Sequence, residues 1–414
     1  MISVREAHEK ILQAISTRPP LNVPLGDGLH RFLAKKVLAP LDSPSFDNSA
    51  MDGYALRSQD TEAAGLENLA KLTVVGTLSA GMSWKGSLRN GEAIRIFTGA
   101  MIPTGADAVV RQEEVQRADT EIFLKDRVKK GENIRHQGEE LKKGELVLEA
   151  RAALTPASIA QLAGFGLREV PIYSPPRVGI LVTGSEIVKA PEDWVLGKVF
   201  DCNSFALNAA LQEIHLKPTF IGHCRDDREE LWRAVTNGLE QTDFLLVTGG
   251  ISVGDFDFVK EIATQAGVET VFWKVAQKPG KPIFFGKRGE EKFLFGLPGN
   301  PASALVCFYE YVRPALLRSM GVPSPLLPSL RCPLAESYRK KAGFAHFLRS
   351  SLEIEAGTAR VKILEQQGSH LLGSFAQANC LTFIPEATEV LEAGSSVEIH
   401  LLPSFIGQRG DITP

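Results

Sequence analysis

The chain has 414 residues, 44% hydrophobic and 23% charged, enough for two to four ordinary cores with the make-up of a globular protein. Its 46 Lys+Arg against 49 Asp+Glu leave a net charge of −3, which argues against nucleic acid or an anionic membrane as the main partner. The longest run without a polar residue, Gly or Pro is Ala304–Tyr309, far short of the about 20 residues that span a bilayer. Five cysteines, Cys202, Cys224, Cys307, Cys332 and Cys380, are odd in number and widely spaced, with no C-x-x-C pair. They suit neither a disulfide framework nor a zinc knuckle. The segment Met1–Glu6 lacks the apolar stretch of a signal peptide, so the expected location is a reducing cytoplasm.

The opening 40 residues read as a helical segment, with Ser3 and Glu6 spaced as a capping box and apolar residues at Ala7, Ile11 and Ala14–Ile15. From Leu72 to Leu148 short β-rich runs are separated by Gly, Pro, Asp and Asn clusters, which predicts a small β domain. Ala153–Gly164 reads as a short helix leading to a boundary at Tyr173-Ser174-Pro175-Pro176. The implied division is 1–44 with 139–174 as a discontinuous N-terminal domain, and 45–138 as a β domain inserted into it.

Residues 175–322 alternate buried strands and amphipathic helices, the pattern of a doubly wound α/β layer. Val178–Val182 and Phe244–Val247 are continuous apolar strands. Asn203 or Ser204 can cap a helix with Leu207, Ala210, Leu211 and Ile214 on one face. Lys274 falls inside the predicted strand Val271–Val275, where a lysine points to solvent. Asn300 would be the N-cap and Pro301 the first residue of a helix through Leu317. Residues 326–414 alternate in short strands, which predicts a closing β-barrel or sandwich.

Ligands of open α/β sheets bind beyond the carboxyl ends of the strands. Those ends carry Thr183-Gly184-Ser185-Glu186, Asp226-Asp227, and the run Thr248-Gly249-Gly250-Ile251-Ser252-Val253-Gly254 followed by Asp255 and Asp257. Glycine-loop amides suit a phosphate, and Mg²⁺ would reconcile phosphate oxygens with the neighbouring carboxylates. The alternative is that each aspartate merely caps a helix. Lys278-Pro279-Gly280-Lys281-Pro282, stiffened by its prolines, offers held cations for an oxyanion or is an ordinary solvated turn. No P-loop and no H-x-x-x-H pair occurs, and His223 and His136 read as structural.

Six motifs in order give the chain a family resemblance. They are Ser49-Ala50-Met51-Asp52-Gly53-Tyr54-Ala55, Ile96-Phe97-Thr98-Gly99-Ala100, Gly131-Glu132-Asn133-Ile134-Arg135, the glycine run at 248–254, Phe272-Trp273-Lys274 with Lys278–Pro282, and Leu297-Pro298-Gly299-Asn300-Pro301. Together they resemble the molybdopterin molybdenumtransferase family, of the bacterial MoeA and gephyrin E-domain type. The resemblance implies a homodimer of four-domain subunits: an N-terminal mixed domain, an inserted β domain, a molybdopterin-binding-type α/β domain and a C-terminal β-barrel. It implies Mg²⁺-assisted insertion of molybdate into adenylylated molybdopterin with release of AMP. It further implies the molybdopterin adenylyltransferase and acceptor apo-molybdoenzymes as partners.

Carried over by position, the catalytic residues are Asp52, Glu186, Asp226, Asp257, Lys274 and Lys278, with Glu186, Asp226 and Asp257 as metal ligands. Thr98, Arg135, Gly249, Gly250, Ser252, Pro279, Lys281, Pro298, Asn300, Arg349 and Ser369 fall on substrate-binding positions. Two departures stand out: Gly138-Glu139-Glu140 replaces the family's usual Gly-Glu-Asp, and Thr183-Gly184-Ser185-Glu186-Ile187 replaces Thr-Gly-Asp-Glu-Leu. The resemblance also admits a scaffold or a non-catalytic pterin- or nucleotide-binding paralogue, or a tungstate-handling variant.

Overall fold

A computed structural model describes residues 1–249, 258–355 and 357–403. The chain forms two compact units, Pro24–Asp27 with Lys35–Val170, and Met1–Val23 with Gly28–Ala34 and Pro171–Pro414.

The smaller unit is built on a six-stranded sheet in the order Ala108–Arg111, Gly53–Leu56, Glu92–Ile96, Ala70–Leu78, Glu121–Leu124, Gln116–Ala118. All pairings are antiparallel except that of Ala70–Leu78 with Glu92–Ile96. Tyr54 and Leu56 face one apolar cluster while Ala55 faces another, so the period of two buries both faces of this strand. Gly53 is required there, because a Cβ would sit 1.9 Å from the Val110 carbonyl oxygen of the neighbouring strand. Thr155 caps the helix Pro156–Gly164 through a reciprocal box with Ser158. The helix starts three residues later than the apolar pattern suggested, since Pro156 takes the first helical position.

The larger unit is organised by a second six-stranded sheet, ordered Pro218–Cys224, Val178–Thr183, Phe244–Thr248, Lys292–Leu297, Phe284–Arg288, Glu269–Trp273. Its first four strands are parallel, and only Phe284–Arg288 runs against the rest. Ile180, Phe244 and Leu246 look into one core with the helices Val4–Ala14, Asn203–Gln212 and Pro301–Ser319. Leu181, Leu245 and Val247 look into the other, beneath Arg228–Gln241 and Phe258–Gln265. Burial on both faces is why these strands read as unbroken apolar runs.

The C-terminal strands form the barrel. Thr358–Ile363, Ala345–Glu355, Cys380–Ile384, Ser396–Leu401 and Ser329–Pro333 pair in that order, and Leu334 returns to bridge Val361. Gln277–Lys278 adds to Ala345–Glu355 as a parallel edge, so a loop of the α/β layer is hydrogen-bonded into the barrel sheet.

Three sequence expectations need correction. The opening helix does form with its Ser3–Glu6 box, but it spans only Val4–Ala14 instead of most of the first 40 residues, because Pro19, Pro20 and Pro24 turn the chain extended. Lys274 does not lie inside a strand. The strand ends at Trp273, and Lys274 takes a left-handed φ of 66°. The helix after Asn300 runs past Leu317 but contains a π-helical turn at Phe308–Val312, where the Arg313 N–H reaches back to the Phe308 carbonyl. Pro314, with no N–H to return to the carbonyl four residues earlier, directly follows that wider turn.

The π turn buries Glu310 where three distant segments meet. His400 Nδ1 of the last barrel strand lies 2.8 Å from one carboxylate oxygen, and His8 Nε2 of the first helix lies 3.7 Å from the other. His400 also approaches Glu398 at 3.4 Å. Burial pushes the His400 imidazolium down, but Glu310 and Glu398 together override it and hold its pKa at about 10. Burial pushes His8 down, so it stays neutral beside the pair. A histidine with a raised folded pKa stabilises the fold fully below its unfolded pKa of about 6.5 and loses that contribution as the pH rises through about 10. Glu310→Gln should therefore lower stability by about 3 kcal/mol at pH 7. In urea titrations, the gap between wild type and variant should shrink between pH 8 and pH 10.5. A gap that is unchanged with pH would contradict the ion pair.

Candidate active site

The carboxyl ends of the parallel strands open into a cavity of about 500 Å³ lined by Glu186, Asp226, Gly249, Pro298 and Asn300, with Asn203 in its wall. Five of the residues singled out from the sequence thus come together. The two adjacent aspartates divide their roles. Asp227 is the cap of helix Arg228–Gln241, accepting from the Glu229 and Glu230 N–H groups at 3.0 and 2.9 Å. Asp226 instead faces the cavity and accepts from the Ser185 N–H at 3.2 Å, while its own N–H returns to the Ser185 hydroxyl at 3.2 Å. The Ser185 departure from the family motif therefore joins the two carboxylate-bearing loops.

Gly249 has a φ of 93°, and a Cβ there would stand 2.3 Å from the Thr183 carbonyl oxygen. Only glycine lets this turn approach the end of the first strand. Buried Asn203 fixes the same corner. Its amide donates to the Thr248 hydroxyl at 2.9 Å and the Gly299 carbonyl at 2.8 Å, and the Thr248 hydroxyl donates on to the Pro298 carbonyl at 3.2 Å. Asn203 or Ser204 was expected to cap a helix, and neither does so. That task falls to Asp201, which accepts from the Ser204 N–H at 3.0 Å.

A second cavity, about 340 Å³, is lined by Lys278, Pro279, Arg349 and Ser369, with Tyr338 and His346. Arg349 is fully buried. Its guanidinium donates to the carbonyls of Gln366 at 2.8 Å and Gly368 at 3.0 Å and to the Ser374 hydroxyl at 3.2 Å, while Nη1 has no partner among the described residues. Arg349 thus holds the loop that presents Ser369. The two cavities are tied together: Asn300 does not use its side chain as a cap but donates its amide to Ser369 Oγ at 3.0 Å, and the Ala302 N–H donates to the Ser369 carbonyl at 3.1 Å.

Lys274 lines neither cavity. It stands at the carboxyl end of an edge strand with its Nζ 3.6 Å from the Trp273 ring centroid, a cation–π contact. Lys281 lies near the Phe344 ring, its Nζ 5.5 Å from the centroid. In the smaller unit Asp52 accepts from the Thr98 N–H at 2.9 Å and hydroxyl at 2.8 Å, which hold its carboxyl below the usual carboxylate range. Exposed Arg135 pairs through its backbone with Asn48. Glu140 accepts from the Ser43 hydroxyl at 2.7 Å. Gly250, Ser252 and Asp257 lie outside the described residues. Among the described residues no group of three or more His, Cys, Asp or Glu is placed to hold a metal ion.

Sequence reasoning missed several residues near these cavities. His223, read as merely structural, lies 2.6 Å from Asp201, whose carboxylate borders the first cavity. Burial pushes Asp201 up, but the Ser204 hydroxyl and N–H and the His223 ring outweigh it, leaving the group below its ordinary value. Tyr338 and His346 carried no motif at all.

Comparison with known proteins decides the family. Residues 2–166 match the MoeA N-terminal region (domain I and II), 179–318 a probable molybdopterin binding domain, and 331–402 the MoeA C-terminal region (domain IV). Molybdopterin molybdenumtransferase of Haemophilus influenzae is 37% identical over 413 residues, covering 98% of this chain and 100% of that protein. The chain belongs to the molybdopterin molybdenumtransferase family. The Bacillus subtilis enzyme of the same name is 34% identical over 92% of this chain and 89% of its own length. A crystal structure of the MoeA protein of Pyrococcus horikoshii OT3 superposes with a TM-score of 0.81 at 31% identity, covering 97% of this chain and 100% of that one.

Within this family frame the glycine corner is the most exacting local feature. Gly249→Ala would force an L-residue into the left-handed region at about 1–2 kcal/mol, besides the clash with Thr183. The variant should melt several degrees lower than wild type by scanning calorimetry. An unchanged melting temperature would contradict the close approach of this turn to Thr183.

Proposed function

We propose that this chain is a molybdopterin molybdenumtransferase that inserts molybdate into adenylylated molybdopterin and releases AMP, the last step of molybdenum cofactor biosynthesis. The observation that carries the reading is the joining of an acidic cavity at the sheet edge, with Glu186, Asp226 and Gly249, to a basic one with Lys278, Arg349 and Ser369. One substrate holds a phosphoanhydride and the other is a tetrahedral oxyanion, so the reaction calls for a metal-assisted phosphate site beside a cationic site. The four-part division at residues 44, 138, 174 and 322 belongs to the same proposal.

Mg²⁺ fits the acidic cavity. The two carboxylates are hard oxygen donors, and Mg²⁺ is commonly held by one or two carboxylates together with substrate phosphates. When bound it would polarise the phosphoanhydride. Glu186 and Asp226 would hold it, with Asp257 as the third ligand proposed by position. The Gly249 turn, with Gly250 and Ser252, would bring backbone amides to the adenylate phosphate, and Pro298 and Asn300 would close its far side. Lys278, Arg349 and Ser369 would grip molybdate, with Pro279 and Lys281 shaping the loop. By their positions in the family motifs, Asp52 and Lys274 are proposed as catalytic residues and Thr98 and Arg135 as substrate-binding residues.

With purified protein, adenylylated molybdopterin, Mg²⁺ and molybdate, AMP should be released. Asp226→Asn and Asp257→Asn should each reduce the rate at least 100-fold while leaving the melting temperature within a few degrees. Full molybdate-dependent AMP release by both variants would refute the metal-site assignment. Homodimerisation is the second expectation: sedimentation at micromolar concentration should give twice the 45.0 kDa chain mass. A monomer throughout that range would contradict it.

A further inference from the structure

The basic cavity is lined by one histidine beside its fixed cations. His346 stands on the barrel strand Ala345–Glu355, where it is the register partner of Lys278 on the adjoining parallel edge strand. Both line the cavity with Arg349 and Ser369. The ring nitrogen Nδ1 lies 3.0 Å from the Tyr338 hydroxyl. A phenol can donate to an unprotonated ring nitrogen or accept from a protonated one, so Tyr338 satisfies the imidazole in both charge states. His346 can therefore gain a proton without losing its partner.

Charge around the ring is one-sided. Lys278 and Arg349 come from the cavity walls, and Lys340 lies on the preceding segment. Lys340 is itself held by the carbonyls of Phe344 and Glu386, at 2.9 and 3.1 Å. Glu386 and Glu389 act on Lys340, and no carboxylate reaches the His346 ring among the described residues. Burial, then Lys340 and Lys278, push His346 down to about 4. The imidazole is thus neutral near pH 7, first because it is buried and then because the charges near it are positive.

We propose that His346 recognises the tetrahedral dianion by taking a proton from solvent as the anion enters, so that oxyanion binding is coupled to proton uptake. The proposal rests on the reading of this cavity as the oxyanion site. A dianion among Lys278, Arg349 and Ser369 supplies the missing counter-charge and lifts the imidazole back toward or above its ordinary range. His346 then becomes an additional charged donor present only when the ligand is there. It serves as a specificity-determining residue: a dianion earns the extra cation, whereas a monoanion of similar shape supports it less.

The test is calorimetry of full-length protein with sodium molybdate at pH 6.5 in buffers of differing ionisation enthalpy, which yields protons taken up per anion. Wild type should take up a substantial fraction of one proton. Its affinity should fall as pH rises, by up to about tenfold per pH unit, the limit for one coupled proton. His346→Gln should still bind, more weakly at pH 6 and with no uptake, whereas Arg349→Gln should lose most binding. As an independent readout that needs no variant to fold, the His346 ring resonances in wild-type NMR spectra should titrate higher with molybdate than without. Binding without proton uptake, or uptake that persists in His346→Gln, would overturn the inference and leave the oxyanion site standing. No molybdate binding by wild type, or binding unaffected by Arg349→Gln, would overturn the oxyanion-site reading and the inference with it.

Discussion

The site depends on one buried amide. Asn203 opens the helix Asn203–Gln212 and donates to Thr248 at the end of strand Phe244–Thr248 and to the Gly299 carbonyl after strand Lys292–Leu297. Loops that leave a parallel sheet expose backbone groups that must find partners, and leaving a buried one unpaired costs about 1–3 kcal/mol. Asn203 and the Thr248 hydroxyl meet that need for Pro298 and Gly299 together. They lock two strand ends and a helix start into one rigid corner. Gly249 and Asn300 take their positions from it, and through Asn300 so does Ser369.

From that corner the charges separate. Carboxylates stand on the loops after the first two strands of the parallel set, and cations stand on the Lys278 loop and the barrel. If the two sets touched, they would neutralise each other and leave nothing for a substrate. Instead each is buttressed by neutral partners: Asp226 by the Ser185 N–H, and Arg349 by carbonyls and a hydroxyl. A substrate pair carrying a phosphoanhydride and an oxyanion fits such an arrangement, and a metal would serve the acidic half alone. Fixed dipoles and charges of this kind lower a barrier without reorganising during the reaction.

Much of this was legible in the sequence, and for physical reasons. Val178–Val182 and Phe244–Val247 read correctly as buried parallel strands because both faces are covered. The barrel strands read correctly because their alternation separates an inside from an outside, as at Val397 and Ile399. The Ser3–Glu6 box is local chemistry and formed as written. What failed was non-local. Asn203 looked like a cap because caps are decided within four residues, whereas its true partners lie 45 and 96 residues away. The position of Lys274 followed from the strand ending two residues early, a boundary no pattern fixes. His346 was invisible because its role exists only beside Lys278, Tyr338 and Arg349, which pairing across the barrel edge brings together.

The central claim is that metal and oxyanion occupy two different, adjoining cavities. Crystals soaked with Mn²⁺, AMP and tungstate would test it most directly, because manganese and tungsten are distinguished by their anomalous scattering. The account predicts a manganese peak beside Glu186 and Asp226 and a tungsten peak beside Lys278, Arg349 and Ser369. Both peaks in one cavity, or tungsten at a surface remote from Arg349, would contradict it.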